Sequence, residues 1–229
     1  MLSQSKSVFF LCVVLFVHCK TEQSIQPQIA PNLSINSNYE NDPKIDKIIK
    51  PYAKDLDAVM NEIIGFNPMF IEKQKPSSKL GNMMADAILY TTVKEGYKVD
   101  FCILNYGGIR SSLDSGNITL GEIYELMPFE NQITVLKISN EIAKDLRQHI
   151  LQKGGEPMSD KFQMLRDIPK NQPYYHIAIN DYMANGGDGY GFLSKATQRW
   201  DTKIKIRDGL IDYIKTHNPL PLSVDKREL

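Results

Sequence analysis

Three short segments combine side chains able to hold a small polar ligand with glycines that let backbone close on it. The first is Asn105-Tyr106-Gly107-Gly108-Ile109-Arg110. Adjacent glycines allow a tight turn and an approach to a ligand without Cβ interference. Arg110 offers a planar fork suited to a phosphate or ribose-phosphate edge, and Asn105 offers both a donor and an acceptor. A Gly-Gly turn with a solvated arginine fits this loop equally well. The second segment is Met127-Pro128-Phe129-Glu130-Asn131. Pro128 fixes the chain beside Phe129 and Asn131 adds a polar edge, although an aromatic after proline usually belongs to a core. The third runs Tyr182-Met183-Ala184-Asn185-Gly186-Gly187-Asp188-Gly189. Three glycines around one aspartate carry an entropic cost that a plain loop has little reason to bear. A carboxylate so placed can accept two hydrogen bonds from a vicinal diol such as a ribose. A calcium loop is the weaker alternative, since only Asp181, Asn185 and Asp188 could serve as ligands.

In this order the three segments resemble the C-terminal, substrate-binding domain of the 5'-nucleotidases and UDP-sugar hydrolases. Leu80-Gly81-Asn82-Met83-Met84-Ala85-Asp86-Ala87 resembles the same family's opening helix, and the resemblance covers roughly residues 45–225. It implies that Phe129 and Tyr182 occupy the two aromatic positions that sandwich a nucleobase, a contact that tolerates any planar base. It implies that Asp188, beside Gly187, holds the ribose hydroxyls. Asn105, Arg110 and Asn131, with Gly107 and Gly108, then match positions contacting the base edge, ribose and phosphate. Ile109 and Leu113 are assigned to packing. Tyr182 stands where phenylalanine is common. The arginine usual ahead of the Leu-Gly-Asn segment is missing; that stretch reads Glu72-Lys73-Gln74-Lys75-Pro76-Ser77-Ser78-Lys79. Lysine is a point charge without the fork.

The family's enzymes place a two-metal phosphoesterase domain ahead of this one, and such a site needs many ligands. Past the leader the histidines are His149, His176 and His217, and no Asp-x-His or Gly-Asn-His segment occurs. No catalytic residue and no metal ligand is therefore assigned in this chain. Divalent metal is expected in a separate metallophosphatase subunit, with this chain binding the nucleotide or nucleoside. The alternative is a membrane-anchored nucleotide receptor without a catalytic role.

The elements that must position these loops follow from periodicity. Ile45, Ile48, Ile49, Tyr52, Leu56, Val59, Met60 and Ile63 recur at helical spacing, with a kink or break expected at Pro51 and a stop at Gly65. A helix is predicted over 79–94 with Leu80, Met83, Met84, Ala87, Ile88 and Thr91 inward. Residues 99–104 read as a strand, and Thr119-x-x-Glu122 as a capping box opening a short helix. Residues 132–138 read as a strand, with Ser139 capping a helix that carries Ile142, Leu146 and Ile150. Tyr175, Ile177 and Ile179 mark a strand, and Ile206, Leu210, Ile211 and Ile214 a last helix. Helices and short strands alternate without a strict βαβ rhythm, which points to an α+β fold of layered helices and mixed β-sheet.

The N-terminus reads differently. Lys6 precedes an apolar run from Val8 to Val17, too short to span a bilayer and typical of a signal peptide over 1–18. Cys19 follows at the position lipidated in bacterial lipoproteins, with ordinary cleavage as the alternative. Residues 19–44 read as a polar tether, and 45–229 as the domain. The chain is then exported, either lipid-anchored to a bacterial membrane or periplasmic. Cys102, in an apolar run, reads as a small buried hydrophobe. The 229 residues are 42% hydrophobic with 27 basic and 27 acidic side chains. Such a balance provides no general field for a nucleic acid polymer.

Overall fold

The computed structural model of the chain describes residues 32, 34, 36 and 40–229, apart from 162, 169–171 and 224. The expected leader and Cys19 lie outside the described residues. The chain divides into two units, residues 1–46 and 47–229. In the first, the described residues before Pro43 are exposed and form neither helix nor strand.

The second unit is built on a mixed sheet of β2 (Phe101–Cys102), β4 (Gln132–Ser139), β5 (Tyr174–Asn180) and β6 (Gln198–Lys205) in the order β2-β5-β4-β6. β2 lies parallel to β5, and β4 is antiparallel to both β5 and β6. Side chains alternate across a strand, and this sheet separates two cores on that rule. Cys102, Ile133, Val135 and Ala178 enter the first, whereas Phe101, Leu136, Ile138, Tyr175, Ile177 and Ile179 enter the second. The helices α2 (Lys79–Lys94) and α5 (Ile206–Thr216) cover the first core through Leu80, Met84, Ile88, Leu210 and Ile214. The helix α4 (Asn140–Gln152) covers the second through Ile142, Leu146 and Ile150. Helix layers on both faces of a mixed sheet make the α+β class.

Local chemistry sets the element ends. Ser78 caps α2 by accepting from Gly81 N–H at 3.0 Å. Thr119 closes β3 (Gly116–Thr119) and caps α3 (Leu120–Leu126) in a full capping box: its backbone N–H donates to Glu122 at 2.7 Å and its hydroxyl accepts from Glu122 N–H at 3.2 Å. Cys102 is fully buried and free, as expected of a small hydrophobe.

Other expectations are corrected. The helix α1 (Pro43–Met60) runs through Pro51 without a break, and no residue of it is buried. An exposed helix loses one backbone hydrogen bond at an internal proline and can still continue. Gly65 does not stop this helix; it lies inside β1 (Ile63–Asn67), which pairs antiparallel with β3. The strand expected over 99–104 contracts to Phe101–Cys102, with Ile103 bridging to Met158.

Candidate functional site

β2 and β5 run parallel and β4 opposes them, so the end of β5 and the start of β4 share one edge, with Asn180 paired to Ile133. The three glycine- and aromatic-bearing segments leave the sheet from that edge. They enclose a cleft of about 600 Å³ lined by Asn105, Gly107, Gly108, Arg110, Phe129, Glu130, Asn131, Tyr182 and Asp188. The volume suits a small-molecule ligand. Every site residue expected from the sequence lines it except Gly187, which lies behind the Tyr182 ring. A Cβ at Gly187 would meet ring atoms Cε1 and Cε2 at 2.5 Å. Only glycine lets the ring lie flat against the chain here.

Asp188 is at the centre of the polar network. Its φ of 53° is left-handed, and Gly186 and Gly189 flank it at φ 91° and 85°. Its carboxylate accepts from the Tyr182 hydroxyl at 3.0 Å and from Asn105 Nδ2 at 3.1 Å. Lys153 Nζ lies 3.7 Å away. Burial opposes the charge, but hydrogen bonds from Asn105 and Tyr182 and the charge of Lys153 outweigh it and hold the carboxyl below the usual aspartate range. Asp188 is thus an anion at neutral and mildly acid pH, acceptor-only toward a ligand. Tyr182, in place of the common phenylalanine, both presents a ring, 45% of the residue being exposed, and orients this carboxylate.

Further cations lie against the aromatic rings of the first two segments. Arg110 lies over the Phe129 ring at 5.6 Å and donates to Gly107 O at 3.4 Å. Lys73 and Lys75 stand over the Tyr106 ring at 4.4 and 5.0 Å. Burial, and then the charge of Arg110, hold the Lys73 ammonium below the usual lysine range. Arg110 lines the cleft, whereas Lys73 and Lys75 lie against Tyr106 on the adjoining loop. Asn131 lines the cleft with its Nδ2 held by Asp181 Oδ1 at 2.7 Å.

Several supporting residues escape sequence reasoning. Buried Asn180 accepts from Met183 N–H at 2.8 Å and donates to Asn105 Oδ1 at 2.6 Å, so β5 fixes which edge of Asn105 meets Asp188. A Cβ at Gly108 would lie 2.9 Å from that same Oδ1. Buried Glu156 joins two loops, accepting from Tyr106 N–H at 2.5 Å and from Tyr190 hydroxyl at 3.2 Å. His149 meets the Asp188 carbonyl at 3.0 Å and packs its ring on Tyr190. Buried Arg207 donates to Met127 O at 3.2 Å and pairs with Glu130, bracketing Phe129. Asn180 sits as an N-cap ahead of Asp181-Tyr182, a pattern visible in sequence; Glu156 and Arg207 leave no such signal.

One edge of the mixed sheet thus gathers two aromatics, a glycine-held aspartate and an arginine around a single cleft. The family described as 5'-nucleotidase, C-terminal domain, matches residues 25–165, more than half of the chain, and the chain belongs to it. Residues 180–190 lie beyond the matched span, and their place in the site rests on the geometry of the cleft. The trifunctional nucleotide phosphoesterase protein YfkN of Bacillus subtilis (strain 168) is 26% identical over 79% of this chain and 14% of its own length. An apyrase of Tabanus yao is 25% identical over 84% of this chain and 42% of its own. A 5'-nucleotidase precursor of Thermus thermophilus superposes at a TM-score of 0.62 and 22% identity, covering 80% of this chain and 42% of that one. Likeness at that identity speaks for the fold alone. The chain spans less than half the length of each of these proteins.

Proposed function

We propose that this chain is the nucleotide-clamping component of a two-chain nucleotidase whose metallophosphatase is encoded separately. The observation that carries the reading is the convergence of Phe129, Tyr182, Asp188 and Arg110 on one cleft. Phe129 and Tyr182 take the base between their rings, and Asp188, fixed by Asn105 and Tyr182, accepts from the ribose hydroxyls. Asn105 and Asn131 offer polar edges to base and sugar. Arg110, with Lys73 beside it, receives the phosphate. Divalent metal ions in the partner supply the activated water. Closure of the two chains around the nucleotide positions the phosphate for attack and excludes bulk water.

Support for placing the metal elsewhere is that, among the described residues, no group of three or more histidine, cysteine, aspartate or glutamate side chains could hold a metal ion. Export, with anchoring through Cys19, is part of the proposal. It rests on the apolar run after Lys6 and on likeness to a cell wall protein of Listeria monocytogenes, 29% identical over 62% of this chain. Phosphate release from AMP tests the two-chain reading. The purified chain mixed with the metallophosphatase of the same organism is expected to release phosphate well above the rate of the phosphatase alone. Equal rates overturn the reading.

A further inference from the structure

Lys153 reaches Asp188 without lining the cleft. It follows the last residue of α4. Its ammonium lies 3.7 Å from Asp188 Oδ2 and 3.6 Å from Glu156 Oε1, and it donates to the Asp188 carbonyl at 3.4 Å. It also stands over the Tyr190 ring at 5.6 Å. The Lys153 side chain is 26% exposed and that of Glu156 is fully buried.

The turn after α4 fixes this arrangement. Gly154 and Gly155 take φ of 74° and 98°, the left-handed conformation that ends helices. Their N–H groups return to Leu151 O and Ile150 O at 3.1 and 3.0 Å. A Cβ at Gly155 would lie 2.7 Å from Pro76 Cα, so only glycine lets the turn pack there. Lys75 donates to the Lys153 carbonyl at 2.6 Å. The turn brings Glu156 back onto Lys153, and Glu156 accepts from the Tyr106 N–H of the first segment and from the Tyr190 hydroxyl. A chain of contacts from Asp188 through Lys153 and Glu156 to Tyr106 therefore joins the third cleft segment to the first. Asp188 is also faced by His149 from α4, by Tyr182 and Tyr190 from its own segment and by Asn105 from the first. Of these groups Lys153 is the cation at the carboxylate, since His149 meets the backbone carbonyl.

We infer that Lys153 is a positioning residue for the ligand: its ammonium, anchored on Glu156, holds the Asp188 carboxylate in place against the first segment. The inference rests on the clamp reading above, in which Asp188 accepts from the sugar. Adenosine, which carries no phosphate, reads this part of the cleft. Lys153→Met keeps the stem and removes the charge. Adenosine affinity in calorimetry is expected to fall about three- to fivefold at neutral pH, the scale of a partly exposed ion pair. The acid limb should move as well. Against burial, Asn105, Tyr182 and then Lys153 hold the Asp188 carboxyl below the usual aspartate range. Without the ammonium the carboxyl takes its proton at higher pH. The pH at which affinity is halved should rise by about 0.5 over the wild type, a difference to which the ligand's own titration contributes nothing. Lys153→Arg should restore most of both. Lys153→Met leaves Glu156 buried without its cation, so Lys153→Met with Glu156→Gln is measured beside it. The double variant should show the same rise, and a thermal melt records that each variant is folded.

The outcomes separate the two readings. No adenosine binding by the wild type would remove the clamp reading and this inference with it. A wild type that binds, beside folded variants of equal affinity and unmoved acid limb, would overturn the inference alone. So would a loss that is uniform across pH and not recovered by arginine, which marks a residue needed only for the fold.

Discussion

Gly187→Ala is expected to weaken nucleotide binding at least about thirtyfold while leaving the fold intact. The added Cβ would lie 2.5 Å from Cε1 and Cε2 of Tyr182, and still nearer Cζ. No carbon tolerates such contacts, so the ring must leave its place. The φ of Gly187 lies outside the left-handed region, unlike those of Gly186 and Gly189, and alanine meets no backbone strain there. The displaced ring removes one stacking face, worth roughly 1–3 kcal/mol for a base on an aromatic. It also breaks the 3.0 Å bond from the Tyr182 hydroxyl to Asp188, loosening the carboxylate proposed to meet the sugar. The combined loss is at least about thirtyfold in affinity. Titration calorimetry with AMP and a thermal melt read both sides of the expectation. Binding at wild-type strength would show that the Tyr182 ring is not a face of the ligand slot.

Arg227→Leu is expected to produce the largest loss of stability. Arg227 is 2% exposed. It donates from both terminal nitrogens to Asp86, at 2.7 and 2.8 Å, from Nε to Asp225 at 2.9 Å, and to the Met158 carbonyl at 2.8 Å. Burial raises the Asp86 carboxyl above the usual aspartate range even with this arginine opposing the shift. Leucine would leave that carboxylate with only the Asp160 N–H, at 2.8 Å, and the Met158 carbonyl without a donor. Removing one member of a buried ion pair costs about 3–5 kcal/mol, a large share of the ~5–15 kcal/mol that holds a domain folded. Urea denaturation checks the size of the effect, and Asp86→Asn added to Arg227→Leu should recover part of it. A loss below about 1 kcal/mol, the level of an exposed pair, would contradict the account.

The parts of the fold legible in the sequence are those whose burial is periodic. The helix at Lys79–Lys94 has the bounds its apolar spacing predicts, and the Thr119 capping box opens α3 as its residues dictate. β4 and β5 show because their side chains are divided between two cores. β6 does not, since it pairs only with β4 and leaves most of its residues exposed, so no apolar alternation marks it. β1 is hidden by the helical stripe running into it: Ile63 fits the helical spacing, yet belongs to the strand. That same stripe implies a buried face, and α1 buries nothing. Of the site, the ring, carboxylate and glycine positions can be read from three loops. The bonds that orient them cannot. Asn180 and Asn105 lie 75 residues apart, and Arg207 reaches back 80 residues to Met127. Only the folded sheet brings such pairs together.

Titration of the intact chain with AMP and with adenosine tests the central claim most directly. A single saturable site per chain is expected, with AMP bound more tightly than adenosine because Arg110 and Lys73 are proposed to meet the phosphate, and with both weakened by Phe129→Ala. Absence of binding heat for either ligand, at protein concentrations that reveal millimolar affinity, would contradict the assignment of the cleft.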